Sequence, residues 1–358
     1  MKIGILGAGQ LGRMMALAGQ PLGFSFVFYA ERETETIKNL GEVVIGALDN
    51  HEALAAFSQK VSVITYESEN IPLSTLAYLE KMHAPVYPRA NALENMQDRL
   101  VEKQFFKRLA IPTNDFFPIN SQQELLALIE KEGLPLVLKK RRNSYDGKGQ
   151  VVLKDKTDAQ ALTDEACQHC LAERFVTFDR EVSLIAVRDI SGELKFYDIC
   201  QNKHEKGTLV RTDNKQQDKS FNDAKTYLSR IMTSLDYVGV CTLEFFDKGG
   251  ELFANELAPR VHNSGHWTIE GAVTSQFENH LRAITNMSLG ETISLANFTM
   301  FNLLSHMATH QDYLSVPGLK LHDYKKEPRA NRKLGHITLS QSAYPASVTE
   351  VADTLGVT

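Results

Sequence analysis

Residues 240–267 read VCTLEFFDKGGELFANELAPRVHNSGHW, and this stretch decides which fold the centre of the chain adopts. Two apolar runs flank the Gly-Gly pair at 249–250, which is typical of a two-residue β-hairpin turn. That turn sets the register and puts Glu244 opposite Asn255, with Glu256 one residue further along. Carboxylate and amide oxygens on neighbouring strands suit Mg²⁺, whereas carboxylates that face solvent need no cation. The hairpin therefore predicts a metal site, with a solvated surface as the alternative.

A second stretch joins a strand to a loop that is rich in cations and glycine. The strand LPLVLKK contains Lys139, and the loop RNSYDGKGQ spans 142–150. Glycines let backbone N–H groups approach a polyphosphate, and flanking cations favour such a ligand. A solvated hairpin turn is the alternative, because Asp-Gly and Lys-Gly pairs are common in turns. The consecutive basic residues 139–142 favour the phosphate interpretation.

Two glutamates mark strand ends between these stretches. Glu173 ends the strand in CLAERF, and Glu181 begins the next strand. A carboxylate at a strand end can accept ribose hydroxyls while the adjacent backbone contacts adenine. Taken alone, either glutamate also fits a solvated side chain.

The amino terminus carries a different signature, MKIGILGAGQLGRMM. A G-x-G-x-x-G loop between a strand and a helix is typical of a dinucleotide site, and Glu31 ends the second strand, where a ribose-binding acid belongs. Apolar strands alternate with helices through residues 1–90, which predicts a parallel sheet covered on both faces. One longer helix is expected over 92–109, antiparallel hairpins over 134–260, and a final helix over 347–356.

The composition restricts the class of function. A chain of 358 residues, 43% of them hydrophobic, is long enough for two or three domains. A net charge of -5 argues against a bulk nucleic-acid binder. Without an apolar run of about 20 residues or a signal peptide, we expect no membrane partner and a cytoplasmic location. Cys167 and Cys170 form a C-x-x-C pair without a second pair for zinc, so we interpret them as buried hydrophobes.

Polar residues crowd together after the hairpin, and cations crowd near the carboxyl terminus. His262 and His266 lack a third zinc ligand nearby, so residues 260–266 are better interpreted as a substrate loop. The segment YKKEPRANRKLGHI at 324–337 is either a solvated basic face or an anchor for a doubly charged phosphate.

The order of these parts resembles the ATP-grasp superfamily, in which a strand lysine, a glycine-containing loop, an LAERFV-like strand end and a Glu…Asn-Glu hairpin follow one another. The segments LGAGQLGRMM, YESENI, YDGKGQ, NELAPRVHNSGHW and RKLGHI are similar to the 5-(carboxyamino)imidazole ribonucleotide synthetases of purine biosynthesis, nearly end to end. The resemblance implies an α/β plus α+β architecture. It comprises a Rossmann-like domain over 1–95, an ATP-grasp domain over 96–290 and a small carboxy-terminal domain over 291–358, assembled as a homodimer.

The resemblance also implies the reaction and the residues that serve it. ATP, with Mg²⁺, and bicarbonate would carboxylate the amine of aminoimidazole ribonucleotide through carboxyphosphate. Arg260, Lys148 and Glu67 would be catalytic, with Glu69 as a second candidate for touching the ribonucleotide. Glu244 and Glu256 would hold the metal. The residues expected at ATP are Arg99, Lys139, Ser144, Tyr145, Asp146, Gly147, Lys148, Gly149, Gln150, Glu173, Arg174, Phe175, Val176, Glu181, His204, Asn255 and Glu256. Those expected at the ribonucleotide are Gln10, Leu11, Tyr145, Asp146, Arg260, His262, Asn263, Ser264, Lys326 and Arg332.

Two departures from the family and two rival functions accompany this hypothesis. Asn143-Ser144 stands where the family commonly has paired glycines, and Ala330-Asn331 stands where it has Pro-Gly. The rivals are a sibling ATP-grasp ligase that acts on glycinamide ribonucleotide and a dinucleotide-dependent oxidoreductase. If ATP binds the central domain, the amino-terminal glycine loop is expected to frame the ribonucleotide with its exposed N–H groups.

Overall fold

The amino-terminal part of the chain forms the predicted parallel sheet. Its strands are β1 (Lys2–Leu6), β2 (Ser25–Ala30), β3 (Glu42–Ile45) and β4 (Val63–Tyr66), and its helices are α1 (Gln10–Gly19), α2 (His51–Gln59) and α3 (Leu73–Leu79). The order is β3-β2-β1-β4, with every pair parallel. Phe26 and Phe28 pack in the core under α1, whereas Val27 and Tyr29 pack under α2 and α3. Both faces are covered, which explains the nearly continuous apolar strands.

The single helix predicted over 92–109 is wrong. The computed structural model, which describes residues 1–142, 149–341, 348, 355 and 356, has two helices there, α4 (Ala90–Glu94) and α5 (Arg99–Arg108). Asp98 lies between them with extended backbone and accepts a hydrogen bond from Leu100 N at 3.0 Å. A capping aspartate satisfies an N–H group that has no partner inside the new helix, so a second helix begins there.

A small antiparallel sheet follows and confirms the hairpin predicted around the cation-rich loop. Its strands are β5 (Phe116–Ile119), β6 (Leu136–Lys140), β7 (Gln150–Leu153) and β8 (Cys170–Arg174), with helices α6 (Gln122–Glu132), α7 (Lys156–Gln160) and α8 (Asp164–Cys167). The strand order is β5-β8-β6-β7. Cys167 and Cys170 are free thiols in the core of this sheet, as the structural interpretation of the C-x-x-C pair predicts.

The largest sheet spans the rest of the chain. Its strands are β9 (Arg180–Arg188), β10 (Leu194–Phe196), β11 (Ile199–Glu205), β12 (Thr208–Lys215), β13 (Gly239–Lys248), β14 (Glu251–Ala258), β15 (Phe298–Leu304), β16 (Lys320–Asp323) and β17 (Lys333–Ser340). The helices are α9 (Phe221–Ser234), α10 (Thr268–Gly271), α11 (Gln276–Ile284) and α12 (His310–Leu314). The order is β14-β13-β9-β11-β12-β15-β17-β16, with β10 beside β9. Strands from the carboxy-terminal segment thus continue the central sheet through the β12–β15 pair.

One hydrophobic cluster connects the amino-terminal sheet to the largest sheet. Met14 and Met15 of α1 belong to the same buried cluster as Phe277 and Leu281 of α11. Helix α11, which packs against both α1 and β13, thus links the two sheets. Within the described ranges, no helix is long and apolar enough to cross a membrane. The helix predicted at 347–356 falls mostly outside those ranges.

Candidate active site

A cavity of about 650 Å³ lies where the three sheets meet. Most of the residues expected at ATP, metal or ribonucleotide line it. These are Gln10, Leu11, Glu67, Glu69, Arg99, Lys139, Gln150, Glu173, Arg174, Phe175, Val176, Glu181, His204, Glu244, Asn255, Glu256, Arg260, His262 and Asn263. Gly149, Ser264, Lys326 and Arg332 are not among the lining residues. Ser144, Tyr145, Asp146, Gly147 and Lys148 lie outside the described residues.

The glycine loop at the start of α1 holds a carboxylate of the chain itself. Gly9 N donates to Glu67 Oε1 at 2.5 Å, and Gly12 N donates to Glu67 Oε2 at 2.7 Å. A Cβ atom on Gly7, whose φ is +122°, would lie 2.4 Å from Glu67 Cγ. Burial raises the pKa of Glu67, and the two N–H groups act in the opposite direction. The loop therefore needs its glycines so that a glutamate, rather than a pyrophosphate, can approach the helix N-terminus.

This arrangement corrects the expected use of the loop. We expected the N–H groups of this loop to frame a ribonucleotide. The N–H groups of Gly9 and Gly12 instead donate to Glu67, so these two are not available to a ribonucleotide. Gln10 and Leu11 line the cavity, and the Gln10 side chain accepts a hydrogen bond from Lys326 Nζ. Burial lowers the pKa of Lys326 to about 8, with Glu67 acting in the opposite direction. A partly buried ammonium group thus stands beside the first turn of α1.

Three charged side chains form a buried group at the opposite end of the cavity. Glu173 Oε2 lies 3.1 Å from Lys139 Nζ and 3.6 Å from Lys103 Nζ. Burial alone would raise the pKa of Glu173, but Lys103 and Lys139 outweigh it and bring the pKa to about 2. Lys103 Nζ also donates to Thr113 Oγ1 and to the carbonyl oxygen of Ala254. Glu173 therefore faces lysines instead of offering itself to a ribose, which differs from the expectation for a strand-end carboxylate.

Glu181 and His204 form a second pair on the same side of the cavity. His204 Nδ1 lies 2.9 Å from Glu181 Oε2. Burial opposes the charged imidazolium, but the hydrogen bond to Glu181 outweighs it and raises the pKa of His204. The strand end at Arg174, followed by Phe175 and Val176, lines the cavity nearby. Glu181, which pairs with His204, is thus a strand-end carboxylate at the cavity.

The β13–β14 hairpin has the predicted turn but not the predicted register. Lys248 pairs with Glu251, which confirms the Gly-Gly turn between them. Beyond Phe245 and Ala254 the register shifts, so that Glu244 lies opposite Glu256. Asn255 is the extra residue of a β-bulge, which bends a strand and turns side chains toward a new direction. The expected pairing of Glu244 with Asn255 is therefore wrong, and the two carboxylates are closer partners than the sequence suggested.

Both hairpin carboxylates already contact cationic or donor groups. Arg99 Nη1 lies 2.8 Å from Glu256 Oε2, and His262 Nε2 lies 3.0 Å from Glu244 Oε1. Burial alone would raise the pKa of Glu244, but the hydrogen bond from His262 outweighs it and brings the pKa to about 2. Among the described residues, no three His, Cys, Asp or Glu side chains are grouped as a metal site. Two ionised oxygen donors facing a cavity suit Mg²⁺ that takes its remaining ligands from phosphates and water.

Arg260, His262 and Asn263 also line the cavity. Arg260 Nη2 donates to Glu69 Oε1 at 3.0 Å, and Arg260 Nε donates to Glu69 Oε2. Burial alone would raise the pKa of Glu69, but Arg260 outweighs it and brings the pKa to about 2. Asn263 exchanges hydrogen bonds with Asn302, at 3.0 and 2.7 Å. Ser264 is buried and contacts His262 instead of the cavity. Arg332 donates to the carbonyl oxygen of Glu327.

Sequence reasoning missed three charged residues on or beside α5. Glu102 lines the cavity and accepts a hydrogen bond from Leu257 N at 2.6 Å, and burial raises its pKa to about 8. Lys103 belongs to the buried lysine group, and Asp98 makes two 2.8 Å hydrogen bonds with Arg141. Glu102 and Lys103 lie three and four positions after Arg99, so helical spacing was a usable signal. The contact between Asp98 and Arg141 joins residues that are far apart in the sequence, so no local sequence pattern predicts it.

Three family models match consecutive parts of the sequence. The ribonucleotide synthetase preATP-grasp domain matches residues 1–97, the ATP-grasp domain matches 104–277, and the phosphoribosylaminoimidazole carboxylase C-terminal domain matches 299–347. These matches confirm the predicted architecture of a Rossmann-like part, a central ATP-grasp part and a small carboxy-terminal part.

Relatives with named activities match nearly the whole chain. The N5-carboxyaminoimidazole ribonucleotide synthase of Pseudomonas aeruginosa is 44% identical over 340 residues, which cover 95% of this chain and 94% of that protein. The crystal structure of the synthetase from Thermus thermophilus has 44% identity and a TM-score of 0.92, covering 99% of this chain and 97% of the other. The N5-carboxyaminoimidazole synthase from Aspergillus clavatus, in complex with ADP and 5-aminoimidazole ribonucleotide, has 25% identity and a TM-score of 0.88, covering 99% and 98%. With such identity over almost its full length, the chain belongs to the N5-carboxyaminoimidazole ribonucleotide synthase family of ATP-grasp enzymes.

Proposed function

We infer that this protein is an ATP-dependent ligase that converts 5-aminoimidazole ribonucleotide to N5-carboxyaminoimidazole ribonucleotide in purine biosynthesis. The observation that carries the inference is a single cavity lined by two groups of residues. One group comprises lysines and carboxylates from the two antiparallel sheets, and the other comprises the glycine loop and Arg260. Two substrates can meet in such a cavity. The Aspergillus relative, which holds ADP and 5-aminoimidazole ribonucleotide together, supports this inference.

We assign ATP to the end of the cavity that holds the buried lysine group. Lys139 offers an ammonium group to the phosphates, and Glu181 offers a carboxylate to the ribose hydroxyls. The backbone from Arg174 to Val176 supplies N–H and C=O groups to adenine. Support comes from the lysine that Glu173 orients at 3.1 Å, because a preoriented cation stabilises phosphate charge without reorganising during the reaction. The loop residues 144–148, which lie outside the described residues, belong to the same proposal.

Glu244 and Glu256 would hold Mg²⁺, with phosphate oxygens completing its coordination. The metal would neutralise charge on the phosphoryl group that is transferred. Support comes from the donor set, since two ionised carboxylates lie opposite each other on adjacent strands and face the cavity. Arg99, which contacts Glu256 at 2.8 Å, adds a cation close to the same position.

We assign the ribonucleotide to the end that holds the glycine loop. Its phosphate would lie at the first turn of α1, near Gln10 and Leu11, with Lys326 and Arg332 as cations. The pKa of about 8 leaves Lys326 mostly charged near neutral pH, and a bound phosphate would stabilise the ammonium further. Glu67 reaches the cavity from the loop side and is proposed to contact the ribonucleotide.

The proposed chemistry joins the two substrates through an activated bicarbonate. A bicarbonate oxygen attacks the γ-phosphorus of ATP, the bond to the β–γ bridging oxygen breaks, and ADP leaves. The amine nitrogen then attacks either the carbonyl carbon of carboxyphosphate or CO₂ that carboxyphosphate has released in place. Inorganic phosphate leaves and takes up the amine proton. Arg260, held by Glu69, is proposed to stabilise the carboxyphosphate, because positioning and electrostatics supply most of the catalysis in phosphoryl transfer.

The experiment that tests this function measures ADP release with each substrate omitted in turn. We expect ADP release that requires both bicarbonate and 5-aminoimidazole ribonucleotide, together with formation of the carboxylated ribonucleotide. Turnover driven by glycinamide ribonucleotide and formate, without a response to 5-aminoimidazole ribonucleotide, would favour the sibling ligase and refute the assignment.

A dinucleotide-dependent oxidoreductase explains the molecule less well. The N–H groups that would receive a pyrophosphate are held by Glu67 at 2.5 and 2.7 Å. A thermal shift assay distinguishes the two functions, because a ligand that binds the folded state raises Tm. We expect Mg-ATP to raise Tm and NAD(P) to leave it unchanged, and the reverse result would favour the oxidoreductase.

The proposal extends to assembly, domain limits and location. We propose a cytoplasmic homodimer with domains at 1–95, 96–290 and 291–358, limits that the three family matches support. Ile293 and Leu295 are both 63% exposed, which is consistent with an apolar contact surface near this boundary. Light scattering that gives the mass of a single chain at micromolar concentration would contradict the dimer.

A further inference from the structure

A row of buried polar side chains crosses the largest sheet beneath the candidate active site. Ser183 of β9, Asn202 of β11 and Thr212 of β12 are 0%, 7% and 0% exposed. Buried polar groups cost free energy unless they are hydrogen-bonded, so a row of three in central strands needs an explanation. None of the three lines the cavity, and their connection to it runs through Ser264 and His262.

The row forms a continuous hydrogen-bond chain from Thr212 to His262. Thr212 Oγ1 donates to Asn202 Oδ1 at 2.9 Å, and Asn202 Nδ2 donates to Ser183 Oγ at 3.0 Å. Ser183 Oγ lies 2.8 Å from Ser264 Oγ. Either hydroxyl can donate across this contact, because each has one O–H group and two acceptor lone pairs. Ser264 Oγ in turn lies 2.9 Å from His262 Nδ1.

Two contacts from Ser264, one from its backbone and one from its hydroxyl, favour one nitrogen of His262 as the protonated one. Ser264 N lies 3.3 Å from His262 Nδ1, and a backbone N–H can only donate. Nδ1 is therefore an acceptor for both the backbone N–H and the hydroxyl of Ser264. The proton of the neutral imidazole must then be on Nε2, which lies 3.0 Å from Glu244 Oε1. Because the Ser264 hydroxyl donates to Nδ1, it accepts from Ser183, and the hydrogen-bond donors then point in one direction from Thr212 to the carboxylate of Glu244.

We propose that Ser183, Asn202 and Thr212 are positioning residues that act through Ser264 to hold His262 with its proton on Nε2. In this tautomer His262 presents a hydrogen-bond donor to the cavity and cannot act there as a base. The consequence rests on the proposed function: the Nε2–H group donates to Glu244 and so orients a carboxylate that is proposed to hold Mg²⁺. The tautomer itself follows from the contacts alone.

The test reads the tautomer directly in the full-length protein without substrates. ¹⁵N NMR of imidazole-labelled protein distinguishes a protonated from an unprotonated ring nitrogen. The spectrum of His262→Gln identifies the His262 signals. We expect wild-type protein to show protonated Nε2 and unprotonated Nδ1. A wild-type signal with the proton on Nδ1 would overturn the proposal.

Two variants break the chain at different points. Ser264→Ala removes the hydroxyl next to Nδ1, and Ser183→Ala removes the link behind it. We expect Ser264→Ala to increase the population with protonated Nδ1 and to lower kcat by about tenfold to a hundredfold, the range typical of a lost histidine-orienting partner, with KM for ATP nearly unchanged. Ser183→Ala should shift both readouts in the same direction but less.

The matched control is Ser58→Ala, which deletes a buried serine hydroxyl in α2 that has no hydrogen-bond partner among the described residues. We expect wild-type spectra and kcat from it. Wild-type tautomers in both chain variants would refute the proposal, even if kcat fell. If wild-type protein has the Nε2–H tautomer but no carboxylation activity, the proposed hydrogen-bond chain is supported and the proposed function is refuted.

Discussion

Replacing Glu173 by glutamine removes the carboxylate that faces the two buried lysines. Glu173 is 1% exposed, and Lys139 and Lys103 lie 3.1 and 3.6 Å from its Oε2 atom. Against the effect of burial, the lysines lower its pKa from the ordinary 4.5 to about 2. Because a shift of one pKa unit corresponds to about 1.36 kcal/mol, this shift in the pKa of Glu173 corresponds to about 3 kcal/mol. We expect Glu173→Gln to lower the free energy of unfolding by about that amount, since it leaves buried ammonium groups without their counter-charge.

The assay is urea denaturation followed by the fluorescence of Trp267, which is fully buried and is the single tryptophan of the chain. The carboxylate is ionised in both states above about pH 4.5 and is protonated first in the unfolded state as the pH falls. Wild-type protein should therefore lose this stability between about pH 4.5 and about pH 2, and the variant should lose less. Glu165→Gln, an exposed change in α8, is the control. Equal stability of wild type and Glu173→Gln at neutral pH would refute the reasoning.

Three further changes test other parts of the site. Glu256→Gln should abolish ADP release because it removes one carboxylate of the proposed Mg²⁺ site; near-normal release would contradict the metal assignment. Lys326→Ala should raise KM for the ribonucleotide by roughly tenfold or more while kcat changes little, because a charge-assisted phosphate contact is lost; an unchanged KM would remove Lys326 from the site. Gly7→Ala should lower the free energy of unfolding by about 1–3 kcal/mol, since its Cβ would lie 2.4 Å from Glu67 Cγ at a φ of +122°. Chemical denaturation measures the last effect, and a wild-type transition would disprove the close approach.

Local patterns predicted most elements of the fold. Alternating apolar strands and helices predicted the parallel sheet, and the Gly-Gly pair predicted the turn between Lys248 and Glu251. The errors occurred where a side chain decides the backbone path. Helix α4 ends at Glu94, and Asp98 begins α5 through its bond to Leu100 N. The Asp98 carboxylate also accepts a hydrogen bond from Arg141, which follows the distant strand β6. Helix propensity alone does not predict a partner that is distant in the sequence.

Site residues were predictable as a set but not as contacts. The resemblance to ATP-grasp enzymes selected side chains that line one cavity, because motif order is preserved along the sequence. It did not predict the bulge at Asn255, since one extra residue in a strand changes the register without changing the composition. Nor did it predict Lys103. Its full burial is tolerated because Glu173 forms an ion pair with it, and because Thr113 and a backbone carbonyl accept its hydrogen bonds.

The sequence by itself determined that the chain opens with a strand, a tight glycine turn and a helix, because those preferences are local. The same pattern serves a dinucleotide, a phosphate or a side chain equally well, since each places negative charge at a helix N-terminus. Only the tertiary structure decided between them. It brings Glu67, nearly sixty residues away, onto Gly9 N and Gly12 N, as the parallel pairing of β1 with β4 requires. The anion at this loop comes from the chain itself because sheet topology, and not the glycine pattern, determines what reaches it.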